Sequence, residues 1–171
     1  MRRTTYRSGR GGFSLIEVAV ATAVVGIALT ALLVAVGSNT RVGDAGTKLT
    51  QGVCLVEEIR EWTMALPFRD PDPGDANNPP GPDGTNPQTW VDDLDDLMDV
   101  TYSPPRDGQG VAIFDLTGWS QTISLSWRDP NDPAATVSPG TSDVVYVQVD
   151  VAYQNKPVTA TGWLVTQGTD E

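Results

Sequence analysis

The chain of 171 residues carries 22 Asp and Glu against 11 Lys and Arg, which gives a net charge of −11. An acidic protein of this kind is poorly suited to direct contact with nucleic acid, because the phosphates repel it. The chain has no His and one Cys, Cys54, which excludes an intramolecular disulfide, zinc sites built on His and Cys, and catalytic groups of the Ser-His-Asp or Cys-His type.

The first predicted element is an apolar run over residues 13–36, in which Glu17 is the one ionisable side chain. The run is long enough for a transmembrane helix, since about 20 apolar residues cross the ~30 Å hydrocarbon core of a bilayer. Residues 1–12, which precede it, hold four arginines and no acid. The positive-inside rule therefore predicts a cytoplasmic N-terminus and translocation of the C-terminal part.

Small residues stand before this run, whereas a secretory signal peptide has its cleavage site after the apolar stretch. Gly12 and Phe13 open the sequence GFSLIE, which resembles the type IV prepilin signature of pilins and of type II secretion pseudopilins. The resemblance implies that a prepilin peptidase cuts between Gly12 and Phe13, removes residues 1–12 and N-methylates Phe13. The remaining chain would have 7 basic and 22 acidic side chains, a net charge of −15.

Glu17 would be the fifth residue of the processed chain, at a depth where an acid is costly unless it has a partner. Cleavage would leave a positive α-amine on Phe13, and burying that charge alone in a filament would cost several kcal/mol. The Glu17 carboxylate of a neighbouring subunit can neutralise the amine, in the first turns of a helix where the dipole favours negative charge. We therefore predict that Glu17 sets the axial stagger between subunits. The alternative is a chance Glu at the end of a plain membrane anchor.

Residues 37–66 are predicted to continue the helix as an amphipathic segment. Four glycines weaken its first part, residues 37–52, by roughly 1 kcal/mol each relative to alanine, so this part is expected to be the softest. An apolar stripe with helical spacing then follows. Its members are Leu55, Ile59, Trp62 and Leu66. Pro67 is expected to end the helix.

Residues 67–110 are predicted to be a loop region rich in Pro, Gly and Asp. Six prolines and three glycines in residues 68–89 exclude regular structure there. Aspartates interleaved with apolar residues then predict a short helix capped near Asp92 or Asp93. Calcium prefers oxygen ligands, which makes this cluster a weak candidate site. The candidate ligands are Asp92, Asp93, Asp95 and Asp96. Acidic clusters are usually solvated surfaces, so the expectation is no cofactor, with calcium as the open alternative.

Residues 111–171 show the alternation of apolar and polar side chains that predicts an antiparallel sheet of about four strands. The predicted strands cover residues 111–116, 121–128, 145–153 and 157–166, separated by a loop at 129–142 and a turn at 154–156. Trp119, Trp127 and Trp163 are expected in the core. The predicted fold class is α+β and pilin-like: a long N-terminal helix, membrane-spanning in its first half, packs on this C-terminal sheet.

The resemblance implies a structural subunit of a type IV pilus-like filament and no enzymatic activity. The absent cysteine pair and the long acidic loop favour a minor pseudopilin of type II secretion. One alternative is a minor type IV pilin in adhesion, motility or DNA uptake, and another class is a single-span membrane-anchored enzyme or binding protein. The implied partners are the prepilin peptidase, other pilin-like subunits and the inner-membrane assembly platform. The implied location is the bacterial inner membrane, with the C-terminal domain periplasmic or extracellular.

Overall fold

The computed structural model describes residues 12, 14–72, 79–83 and 90–168, without the side chains of residues 39–41. Of the predicted leader, Gly12 is described, whereas Phe13 and the four leader arginines lie outside the described residues. The elements in chain order are α1 (Leu15–Ala65), a 3-10 helix (Asp95–Leu97), β1 (Val100–Tyr102), β2 (Trp119–Asp129), β3 (Asp132–Thr136), β4 (Val144–Tyr153) and β5 (Lys156–Thr166). The chain divides into two compact units, one up to Ala45 and one from Gly46 onward.

The first unit contains the N-terminal part of α1. An 18-residue window of α1 has a mean hydropathy of 2.5 and none of its surface is buried within the described chain. By length and composition, α1 can cross a membrane. The apolar side chains of the run have no core of their own to enter.

In the second unit, the apolar stripe of α1 lies on the sheet as predicted. Leu55, Ile59 and Trp62 are buried, and Leu66 packs against the same core at half burial. The helix ends at Ala65, two residues before Pro67. The backbone of α1 is helical through residues 37–52. Gly52 allows the helix to pack closely on β5, because a Cβ there would lie 3.0 Å from Val158 Cγ1.

The sheet has five antiparallel strands in the order β1-β2-β4-β5, and β3 pairs with the end of β2. The α+β class is thus confirmed, with one strand more than the predicted four. The alternating side chains of β4 form the centre of the core. They are Val145, Val147, Val149 and Val151, each at most 1 % exposed. Trp119 and Trp127 are buried as expected, whereas Trp163 on β5 is half-buried.

The prediction of a first strand at residues 111–116 is wrong. This segment forms one isolated bridge, between Arg106 and Ala112, and then turns, with Leu116 N–H donating to the Ile113 carbonyl at 3.2 Å. Asp107 Oδ1 accepts the N–H groups of Gln109 and Val111, which closes a local turn in place of a ladder. The first strand is β1, inside the region predicted to be loop.

The predicted loop at residues 129–142 also contains a strand, β3. Asp129 pairs with Asp132 and Arg128 with Thr136, so β2 and β3 form a tight hairpin around Pro130 and Asn131. Asp129 Oδ1 accepts the Asn131 N–H at 2.8 Å and stabilises this turn. The Pro and Asp residues that predicted a loop therefore belong to a hairpin turn.

Candidate functional site

The candidate site is the start of α1, where the sequence places both the predicted cleavage point and the acid. Helical hydrogen bonds begin at Ser14, whose carbonyl accepts the N–H of Glu17 at 3.0 Å and of Val18 at 3.2 Å. Glu17 is the acid of the first turn, where the helix dipole favours negative charge. Gly12 lies before the helix and is exposed, and a Cβ added to it would meet no described heavy atom within 4 Å. Gly12, which precedes the predicted cleavage point, therefore lies outside the helix.

An apolar surface surrounds Glu17. All residues from 14 to 38 are exposed, and Leu15 and Ile16 are 88 % and 71 % exposed. Leaving apolar area in water costs about 25 cal/mol per Å². A surface this continuous requires lipid or other helices around it.

Small and β-branched residues share the helix face that carries Glu17. Together with Glu17, a shallow groove is lined by Val18, Ala21, Thr22 and Val25. Small side chains allow helices to approach each other closely in a membrane. The Thr22 hydroxyl donates to the Val18 carbonyl at 2.8 Å, so it brings no unpaired donor to this face.

The charge of Glu17 has no neutralising cation among the described residues. Ion pairs elsewhere among the described residues join Arg60 to Glu57 and Arg69 to Asp143. An acid on an apolar helix surface is a functional feature by default. The described residues therefore leave the Glu17 carboxyl without a cationic partner.

The sequence also contains a helix-start signal at Ser14 that was not used in the prediction of α1. The spacing from Ser14 to Glu17 is that of a capping box, a pattern that marks helix starts. The structure places the start of α1 there, with Leu15 as its first residue. The signal was therefore present in the four residues from Ser14 to Glu17.

The aspartate cluster of the second candidate site is engaged with its own backbone. Asp93 Oδ1 accepts the N–H of Asp95 at 2.9 Å and of Asp96 at 3.2 Å, at the start of the 3-10 helix. Asp96, which is fully buried, accepts the N–H of Asp83 through Oδ1 and of Asp92 through Oδ2, both at 2.9 Å. These bonds attach the loop around residue 83 to the 3-10 turn.

Burial raises the pKa of two aspartates in this cluster. Burial, together with the nearby Asp95 carboxylate, raises the pKa of Asp93 to about 7. Burial also raises the pKa of Asp95, against the lowering effect of a hydrogen bond from Gly81. Within the described part of the chain, no three acidic side chains form a group that could hold a metal ion. Calcium binding at Asp92, Asp93, Asp95 and Asp96 stays a prediction.

Comparison with known proteins bears on the first site. Residues 7–33 match the family model of the prokaryotic N-terminal methylation motif. The chain carries the type IV pilin signature. The matched residues include Gly12, Phe13 and Glu17, and the match ends before the second unit. No curated protein and no solved structure matches the chain.

The pilin signature points to a structural subunit and away from an enzyme. It implies processing by a prepilin peptidase and assembly with other pilin subunits. The apolar start of α1 is compatible with an inner-membrane anchor.

Proposed function

We propose that this protein is a structural subunit of a type IV pilus-like filament, and specifically a minor pseudopilin of type II secretion. The observation that carries the proposal is Glu17, an acid in the first turn of an exposed apolar helix, inside a matched N-methylation motif. The motif supports the pilin-like subunit, and the finer assignment is our inference.

The proposed mechanism begins with the peptidase. It removes residues 1–12 at the Gly12–Phe13 bond and methylates the new α-amine of Phe13. The subunit then waits in the inner membrane, anchored by residues 13–36, with the unit from Gly46 outside the cytoplasm. An assembly platform adds it to the filament.

Electrostatics then sets the register between subunits. The α-amine of Phe13 and the Glu17 carboxylate of a neighbour both leave water when helices pack. Pairing them avoids two isolated buried charges, each of which costs several kcal/mol. Apolar contacts of residues 15–36 stabilise helix packing but do not fix the axial position of one helix against the next. The charge pair therefore sets the axial stagger.

Two features favour a minor pseudopilin over a pilin. The single cysteine, Cys54, excludes the C-terminal disulfide loop of many type IV pilins. The acid-rich segment around Asp92 lengthens the connection between α1 and β1. In this role the protein is a structural component of the filament and needs no catalytic residue.

The experiment replaces Glu17 with Gln in the chromosomal gene, with Glu57→Gln as the matched control. Glu57 lies on the exposed side of α1 in the second unit, where it pairs with Arg60 at 3.6 Å. We expect Glu17→Gln to be inserted and processed but to drop at least tenfold in the sheared or pulled-down filament fraction. Glu57→Gln should assemble normally. Normal assembly of Glu17→Gln would contradict the proposal.

Deletion of the gene separates the two filament types. If the protein is a minor pseudopilin, deletion of its gene should make normally secreted proteins accumulate in the periplasm while surface pili persist. Loss of pili with intact secretion would contradict the pseudopilin assignment and favour the minor pilin. Loss of neither, together with an unprocessed N-terminus, would contradict the filament function itself.

A further inference from the structure

A proline-rich loop at residues 79–83 is bonded to the aspartate cluster through its backbone. Three of the five loop residues are prolines, which have no N–H, so Gly81 and Asp83 supply the amide hydrogens of the loop. Gly81 donates to Asp95 Oδ1 at 3.1 Å, and Asp83 donates to Asp96 Oδ1 at 2.9 Å. Each amide hydrogen of this loop therefore has the carboxyl group of an aspartate as its acceptor.

The acceptors belong to the acidic turn, residues 92–97, which a further carboxyl keeps in order. Asp93 is 2 % exposed, and its Oδ1 accepts the N–H groups of Asp95 and Asp96. Its Oδ2 is buried and has no hydrogen-bond partner among the described residues. A buried carboxylate without an opposite charge is far more costly than a neutral carboxyl. The protonation of Asp93 therefore affects the positions of both acceptors for the loop.

Like charges surround the acidic turn. Burial raises the pKa of Asp95, the hydrogen bond from Gly81 lowers it, and the carboxylates of Asp83, Asp96 and Asp70 raise it further. The titratable and charged groups of the neighbouring segments are Arg69, Asp70, Asp83, Tyr102 and Arg106. Of the two cations, Arg69 donates to Asp143 at 2.6 Å and Arg106 stacks on Tyr102 at 5.0 Å. Ionisation of the turn therefore places like charges close together.

The loop also lines a cavity of about 250 Å³ at one end of the sheet. Pro79 and Pro80 line it together with Trp127 and Val145, which belong to the core. Because proline fixes φ, a loop with three prolines keeps much of its shape when its two hydrogen bonds break. Release of the loop would open this cavity further to solvent.

We propose that residues 79–83 form a pH-sensitive lid, which the acidic turn holds closed while its carboxyls carry protons and releases when they ionise. Burial raises the pKa of Asp93 from 3.8 to about 7, so the closed state holds a proton that an open, solvated turn would lose. The closed lid therefore loses stability as pH rises from about 4 to about 7. The inference concerns the second unit and does not depend on the proposed filament function.

The first test is hydrogen exchange of the full chain in a non-ionic detergent, measured by NMR at pH 5.5 and pH 8 and corrected for the intrinsic pH dependence of exchange. We expect the corrected rates of Gly81 and Asp83 to rise at least about tenfold at the higher pH. The amide of Asn131, which donates to Asp129 Oδ1 in an exposed turn, is the control and should change little. Unchanged rates at the loop, or an equal rise at the buried Val147, would overturn the proposal.

The second test removes charges from the cluster. Asp93→Asn keeps an acceptor oxygen but cannot ionise, so the loop should stay protected at pH 8. Asp70→Asn removes a carboxylate that faces the turn from a partly exposed position, and it should reduce the rise in exchange. Asp115→Asn, at an exposed position, should behave as the wild type. A wild-type rise in Asp93→Asn, or in Asp70→Asn if the first variant does not fold, would overturn the proposal.

Discussion

At the scale of single residues, the acidic side chains of this protein differ in burial and in hydrogen-bond partners. Glu17 stands on an apolar helix surface without a described cation, whereas Asp96 is buried with its two oxygens engaged by backbone N–H groups. In our proposal, the α-amine of a neighbouring subunit completes the first arrangement. The second is satisfied by backbone N–H groups of described residues.

Gly12 is the residue at which processing can be tested first. We expect Gly12→Ile to leave the leader attached, because a branched side chain would stand beside the Gly12–Phe13 bond that we propose is cleaved. The mass of the purified chain measures this directly. Gly37→Ala is the control, since a Cβ at Gly37 meets no atom within 4 Å. A Gly12→Ile chain of processed mass would contradict the assignment of the cleavage bond.

The raised pKa of Asp93 predicts how the free energy of unfolding depends on pH. Its pKa is raised from 3.8 to about 7 by burial, so the folded chain holds a proton there that the unfolded chain loses above pH 4. The folded state therefore loses stability as pH rises from about 4 to about 7, by about 1 kcal/mol per pH unit from this group.

Asp93→Asn should reduce that decline, because an amide keeps the acceptor oxygen for Asp95 and Asp96 and carries no charge. Thermal melts of the full chain in detergent at pH 5 and pH 7.5 measure the effect. Asp115→Asn, at an exposed position, serves as the control. An unchanged difference in Tm between the two pH values for Asp93→Asn would show that this carboxyl does not govern the dependence.

At the scale of elements, period-two alternation predicted β2, β4 and β5, because each has one face against the α1 stripe and one face outside. It failed where local side chains decide the backbone. Asp107 turns the apolar segment 111–116 out of the sheet, and Asp129 turns the predicted loop into the β2–β3 hairpin. Gln121 shares the inward face of β2 with Ile123 and is fully buried. Alternation alone does not reveal the hydrogen-bond partners that make a buried amide acceptable.

Gln121 joins three parts of the second unit. Its Nε2 donates to the Leu55 carbonyl at 2.8 Å and to the Arg106 carbonyl at 3.1 Å, and its Oε1 accepts the Arg106 N–H at 2.6 Å. We expect Gln121→Leu to lower the free energy of unfolding by about 2 kcal/mol, since buried backbone groups lose their partner.

Chemical denaturation of the full chain in detergent tests this value. Gln148→Leu is the matched control, because Gln148 is exposed on β4 and bonds to the exposed side chain of Asp150. The control should change stability by less than about 0.5 kcal/mol. Equal effects of the two substitutions would mean that Gln121 is not a link between helix and sheet.

At the scale of the whole molecule, an apolar helix start and an acidic, sheet-containing unit belong to one chain. The sequence could predict the apolar helix start, because the apolar run of residues 13–36 and the motif GFSLIE are both local features of the chain. It could predict the class of the second but not its edges, because strand order depends on contacts far apart in the chain. In the proposed filament subunit, the apolar helix start contacts neighbouring subunits.

The N-terminal residue of the protein recovered from the assembled fraction tests this account most directly. Mass spectrometry of the N-terminal peptide should find Phe13 as the first residue, with a methyl group on its α-amine, and Glu17 unmodified within the same peptide. A peptide that begins at Met1, or at any residue other than Phe13, would contradict the account, because no amine would then stand where Glu17 of a neighbour can meet it.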